Sequence, residues 1–147
     1  ALDAAQQAIA VRAEAHLPSP VGQVFRAGLL LQLDRLDEVE EALAQTGAAS
    51  TRCTRELLTM TVAAARGRLD GLDDGLERWL EDHDGEAAVF RPRIRALERL
   101  GEELSAERPE LARLVFERAR ERWSLLRAAR RVARVEKKLA QLPGGPS

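Results

Sequence analysis

The chain has 147 residues, enough for one domain with a buried core. Aromatic residues make up only 3%, Tyr is absent, and good helix formers such as Ala, Leu and Arg dominate, which predicts a helical protein. The net charge of −1 favours no class of charged partner by itself. A single cysteine excludes an internal disulfide and favours a reducing compartment. No apolar run approaches the roughly 18 residues that a membrane-spanning helix needs.

Arg greatly outnumbers Lys, which occurs only as Lys137 and Lys138. This usage is typical of GC-rich bacterial genes, so we expect a bacterial protein. Because the single cysteine favours a reducing compartment, we expect it in the cytoplasm. The sequence begins at Ala1 with neither an initiator Met nor a signal peptide, so we expect it to be part of a longer protein. A parent protein that is membrane-tethered or exported stays compatible with that expectation.

Apolar residues recur every three or four positions between marks that start or stop helices. Ser19-Pro20 and Ser50 are typical of helix starts, and Gly47, Gly67 and Gly85 are typical of helix ends. Together they predict helices over roughly 2–16, 20–33, 36–46, 50–66, 69–82 and 87–104, then a long final helix from about 108 to 140. The Pro- and Gly-containing tail 143–147 is predicted to be disordered.

One pattern occurs twice, as RLDEVEEAL over residues 35–43 and as RLDGLDDGL over residues 68–76. The offset of 33 residues holds two helices joined by a short connection, which favours antiparallel neighbours. Such a pair cannot bury its apolar face alone, so stacking of pairs is predicted. The residues expected to be buried between the pairs are Ala27, Leu30, Val39, Leu43, Ala63, Leu69, Leu72, Leu76, Leu100, Leu104, Leu111 and Val115.

The third helix pair carries Leu97-x-x-Leu100-Gly101-x-x-Leu104 and then Ala112-x-x-x-Phe116. These spacings resemble the tetratricopeptide repeat. The resemblance implies an all-α solenoid of antiparallel helix hairpins, a right-handed superhelix of about three pairs with a long C-terminal helix. It would form one domain over residues 1–142, starting in the middle of a repeat. Trp and Tyr are missing from their usual repeat positions, which leaves a related helical-hairpin solenoid or an irregular helical bundle as alternatives.

In the tetratricopeptide family, the first helix of each pair lines a concave groove. Family members that clamp the carboxylate of chaperone tails use Lys and Asn there, and those residues are missing here, so that ligand class is not expected. Two alternatives remain: a trough for an apolar helix or an extended peptide, or a groove filled by the final helix of the chain itself. The implied lining is Val21, Val24, Gly28, Leu31, Gln32, Thr54, Leu57, Thr61, Ala64 and Ala65, with Arg95, Glu98 and Glu102 at a charged end.

Charge is distributed unevenly along the chain. Residues 1–90 hold 8 basic and 16 acidic residues, whereas residues 113–138 hold 10 basic and 3 acidic residues. Three hypotheses fit the basic final helix: a solvated cap on a solenoid, a docking surface for a protein or a second copy, or a site for nucleic acid or an anionic membrane. We favour a protein partner over the third. The candidate partner-binding residues there are Trp123, Leu126, Arg127, Arg130, Arg131 and Arg134.

No catalytic or metal-binding constellation is found. His16 and His83, the only histidines, have no second ligand at metal-site spacing. Cys53 near a helix start is expected to be a small buried residue rather than a reactive thiol. The acidic stretch 82–86 lacks the ligand spacing of a calcium loop. The sequence therefore predicts a non-enzymatic protein-interaction or scaffolding module with no cofactor, metal or small-molecule substrate.

Overall fold

The structure, a computed structural model, describes residues 4, 6–8, 11, 20–46, 51–82 and 91–143. Every regular element in these residues is a helix and none is a strand, which confirms the all-α prediction. The helices are α1 (Pro20–Gln32), α2 (Leu36–Ala44), α3 (Arg52–Ala65), α4 (Leu72–Asp82), α5 (Arg91–Leu104), α6 (Pro109–Leu125) and α7 (Ala129–Ala140). Residues 4, 6–8 and 11 are also helical and exposed, while Ala5 and Ile9 of that predicted helix lie outside the described residues.

The chain divides into two compact units, residues 1–62 and 63–147, with the boundary inside α3. The single domain predicted over residues 1–142 stays a prediction. The tail prediction for 143–147 falls almost entirely outside the described residues, which stop at Pro143.

In the first unit, α1 and α2 pack against each other across a three-residue turn. Leu30 and Val39 are fully buried, one from each helix. The turn contains Asp34 with a φ of 60°, a left-handed conformation. The amide of Arg35 donates to the carbonyl of Leu30 at 3.1 Å, so the turn satisfies a carbonyl at the end of α1.

Helix α3 ends as the sequence predicts. Gly67 has a φ of 74°, and the amide of Arg68 donates to the carbonyl of Ala63 at 2.8 Å. Gly can adopt this conformation without steric cost, which explains why it stands at the stop. The other predicted marks, Ser19, Ser50, Gly47 and Gly85, lie outside the described residues.

In the second unit, α5 and α6 form a hairpin, and α7 packs against α6. A Cβ atom added at Gly101 on α5 would come within 2.6 Å of the ring of Phe116 on α6. Any side chain at position 101 would force this ring to move. The two motif residues that carry the repeat resemblance therefore meet at the point where the helices approach closely.

The predicted core is largely confirmed. Ten of the twelve residues expected to be buried are buried, whereas Ala63 and Leu69 are half-buried. Ala63 lies in the last turn of α3, and Leu69 lies in the connection to α4, whose other residues are exposed.

The prediction of one long final helix is wrong, because the helix breaks at residues 126–128. Arg127 has a φ of 55°, and the amide of Ala128 donates to the carbonyl of Trp123 at 3.0 Å. These are the same features that end α1 at Asp34. The chain then reverses, so that α7 returns along α6 instead of extending beyond it.

Candidate interaction surface on the last helices

A buried carboxylate ties the last three helices together. Glu98 on α5 is only 5% exposed. It accepts a hydrogen bond of 2.5 Å from the indole N–H of Trp123 on α6. It also accepts two from the guanidinium of Arg134 on α7, at 2.8 Å from Nη2 and 3.2 Å from Nε. One acidic side chain thus holds α6 and α7 in register with α5.

Lys138 extends this cluster by one helical turn. Its Nζ lies 3.1 Å from Glu98 and also pairs with Glu102, one turn further along α5. Arg131 places its guanidinium over the ring of Trp123, 4.5 Å from the ring centroid, in cation–π geometry. Because Trp123 is fully buried, these contacts fix the inner side of α7 on the hairpin.

Two opposing effects set the pKa of Glu98. Burial raises the pKa of its carboxyl group, because it disfavours the charged form. The hydrogen bonds from Arg134, Lys138 and Trp123 outweigh burial and hold the pKa below its ordinary value of 4.5. Glu98 is therefore ionised at neutral pH, and its charge is compensated by the cations of α7.

The outer side of α7 is cationic. Arg130, Arg134 and Lys137 lie at i, i+4 and i+7, which puts them on one helical face, and all three are exposed. Arg134 shares its guanidinium with Glu98 and keeps 47% of its side chain exposed. In the part of the chain that the structure describes, Arg130 and Lys137 make no ion pair. We call these three residues the basic stripe.

The outer side of α4, in the same unit, has the opposite charge. Asp74, Glu77 and Glu81 lie at i, i+3 and i+7 on one exposed face, and none of the three pairs with a cation within the described ranges. Their neighbour Asp73 differs, since it lies 3.7 Å from Arg108. We call Asp74, Glu77 and Glu81 the acidic stripe.

The predicted partner-binding residues of the last helices separate into two groups. Trp123 is buried in the cluster, Leu126 is half-buried and Arg131 covers the indole ring, so these serve the fold of the unit itself. Arg127, Arg130 and Arg134 are exposed. A partner of the folded unit therefore meets cations rather than the apolar residues that the sequence pattern suggested.

The predicted groove lining is mostly buried. Val24, Leu31, Leu57 and Thr61 are at most 3% exposed, so a peptide could contact them only if the elements that cover them moved. Gln32 is exposed, and the side chain of Val21 lies outside the described residues. Of the charged end, Arg95 is half-buried, Glu98 belongs to the cluster, and Glu102 is exposed beside Lys138. Binding in this groove stays a prediction.

Sequence reasoning placed Glu98 in the groove and missed its partners in α6 and α7. It also missed the acidic stripe, although the repeated pattern RLDGLDDGL contains its first residue. Both stripes could have been found from the spacing of their charges, because residues three, four and seven positions apart lie on one face of a helix. This periodicity is visible in the sequence once apolar positions have fixed the inner side of each helix.

The candidate catalytic and metal-binding residues of the sequence do not form a site within the described ranges. Cys53 is buried, and His16 and His83 lie outside those ranges. No group of three potential metal ligands, and no helix long and apolar enough to cross a membrane, is found among the described residues. Comparison of the chain with models of known families, with characterised proteins and with solved structures finds no match.

Proposed function

We propose that the chain is a non-enzymatic protein-interaction module, similar to tetratricopeptide-repeat proteins, that docks the basic stripe of α7 on an acidic helical surface of a protein partner. The main support for this proposal is the cluster of Glu98 with Trp123, Arg134 and Lys138. It turns the apolar side of α7 inward, where Val135 and Leu139 are buried, and leaves the cations outside. Specificity then comes from the spacing of charges on a rigid helix.

The repeat-like character of the proposal is supported by two hairpins. Helices α1 and α2 pack together, as do α5 and α6, each pair joined by a short turn. Gly101 and Phe116 meet in the second hairpin, at the positions where the family pattern has its small and aromatic residues. A stack of such hairpins commonly provides a surface for proteins.

Three observations favour protein over nucleic acid or a membrane. The basic stripe spans eight residues, with about 10.5 Å of helix between its first and last residue, which is short for a phosphate-binding track. Both Trp residues are buried, so neither is available to stack on bases. The large apolar residues exposed in the described ranges are Val11, Leu114 and Leu125, none of them on α7, so α7 has no apolar face left for insertion into lipid.

The test is a titration of the full chain against three fluorescent probes. The first is a synthetic helical peptide with acids at i, i+3 and i+7, and the second has the same composition in scrambled order. The third is a 20-base-pair duplex DNA. We expect the spaced peptide to bind at least about tenfold tighter than the scrambled one, because only a matched spacing lets all charges pair at once.

Arg130→Ala/Lys137→Ala should abolish that preference, since it removes the two stripe cations that make no ion pair. Arg113→Ala/Arg120→Ala, two cations of α6, is the matched control and should keep it. Equal binding of both peptides, or tighter binding to DNA than to either, contradicts the proposal.

A further inference from the structure

The acidic and basic stripes match in order as well as in charge. Along α4, the steps from Asp74 to Glu77 to Glu81 are three and then four residues. Read backwards along α7, the steps from Lys137 to Arg134 to Arg130 are also three and then four. Two antiparallel helices would therefore bring all three pairs into contact at once.

Both stripes lie on helices of ordinary geometry, so each covers about 10.5 Å along its axis. Antiparallel docking pairs Asp74 with Lys137, Glu77 with Arg134, and Glu81 with Arg130. Within the described residues, no residue of the acidic stripe has an ion-pair partner in its own chain. The same holds for two of the three residues of the basic stripe, Arg130 and Lys137. The complement of each stripe is thus present in every copy of the protein.

We infer that the partner of the basic stripe is a second copy of this chain, whose acidic stripe docks on α7 in an antiparallel arrangement. The inference rests on the proposed function, because it names the partner of the same surface. In a two-fold symmetric dimer, the acidic stripe of each copy contacts the basic stripe of the other copy, so the same contact forms twice.

Contacts of this kind make the dimer weak and sensitive to salt. Exposed ion pairs contribute little individually, and mobile ions screen them over about 10 Å at 0.1 M salt and about 3 Å at 1 M. We expect the dissociation constant to rise by at least about tenfold between ~0.05 M and ~0.5 M NaCl, which sedimentation equilibrium of the full chain can measure.

Charge reversal provides the decisive test. Asp74→Lys/Glu81→Lys reverses two charges of the acidic stripe, and Arg130→Glu/Lys137→Glu reverses the two basic-stripe charges that pair with them. Each variant alone should be monomeric at concentrations where the wild type is dimeric. Mixed in equal amounts, the two should form a heterodimer, because the reversed stripes complement each other and the unchanged stripes do as well.

Glu136→Lys, on a different side of α7, is the matched control and should dimerise like the wild type. Circular dichroism checks that every variant stays folded, which is expected because all the changed side chains are exposed. A wild type that stays monomeric at low salt, or a dimer that both reversals leave intact, overturns the inference. If the wild type is monomeric but the spaced acidic peptide still binds, self-association is wrong and the proposed function stands with another protein as partner.

Discussion

The two hairpins α1–α2 and α5–α6 are built from similar helices but are held together differently. The first meets through uncharged residues such as Leu30, Val39 and Ala42, all fully buried. The second encloses an ionised carboxylate, Glu98, and is completed by a third helix that supplies two cations. An apolar contact tolerates small shifts and is indifferent to pH, whereas a buried charge requires its partners in place. We therefore expect the first unit to respond mainly to changes of volume, and the second also to changes of charge.

The intrinsic fluorescence of tryptophan can separate the stability of the second unit from that of the first. Both Trp residues, Trp79 and Trp123, belong to the second unit, so intrinsic fluorescence reports on that unit alone. Circular dichroism reports on the helices of both. Unfolding in urea, followed by both signals, thus measures the two regions in one sample.

The largest effect is expected from Trp123→Ala. It empties a fully buried site and removes a hydrogen-bond donor of Glu98, so it should lower the free energy of unfolding of the second unit by about 3–5 kcal/mol. Fluorescence of the remaining Trp79 measures this change. Leu30→Ala, expected to cost about 2–5 kcal/mol in the first unit, is the control. Only the Trp123 variant should also change the pH dependence, and an equal change in both would erase the distinction between the regions.

A smaller effect is expected from Glu98→Gln, which keeps the size and an acceptor for Trp123 but loses the charge. We expect a loss of about 1.5 kcal/mol at pH 7, at the low end for a charged group because Arg134 is half exposed. Because the pKa of Glu98 is lowered on folding, its stabilising effect is complete above the unfolded value near 4.5 and is lost as the pH falls through the folded pKa.

The difference in stability between the wild type and Glu98→Gln should therefore be constant from about pH 7 to pH 5 and shrink below about pH 4.5. Urea unfolding at several pH values measures it. A difference that persists unchanged at pH 3 would show that the charge of Glu98 contributes nothing to the cluster.

The smallest change in stability is expected from substitutions in the two left-handed turns that follow α1 and α6. Arg127→Gly should stabilise the second unit by about 1 kcal/mol, because Gly adopts a positive φ without the steric cost that Arg pays there. Asp34→Gly should gain less, since Asp tolerates this conformation better. A loss of stability in Arg127→Gly would instead favour a continuous helix, in which Gly costs about 1 kcal/mol relative to Ala.

The sequence was sufficient for most of the helices and most of the core, because apolar periodicity and short connections determine both. Gly67 was predictable as a stop, since Gly is the residue that adopts a positive φ most easily. Arg127 was not, because its conformation is imposed by the packing of α7 on α6 and no Gly or Pro marks the break. The Glu98 cluster was equally hidden, since its donors lie 25, 36 and 40 residues further along the chain.

That order along the chain has a consequence for synthesis. The ribosome makes Glu98 first, then Trp123, and only afterwards Arg134 and Lys138. At about 5–20 residues per second, the carboxylate waits roughly 2–8 s for its last partner. During this interval the acid must remain in water, because burying it without a cation is costly. The second unit can therefore bury Glu98 only after the ribosome has made the 12 residues of α7.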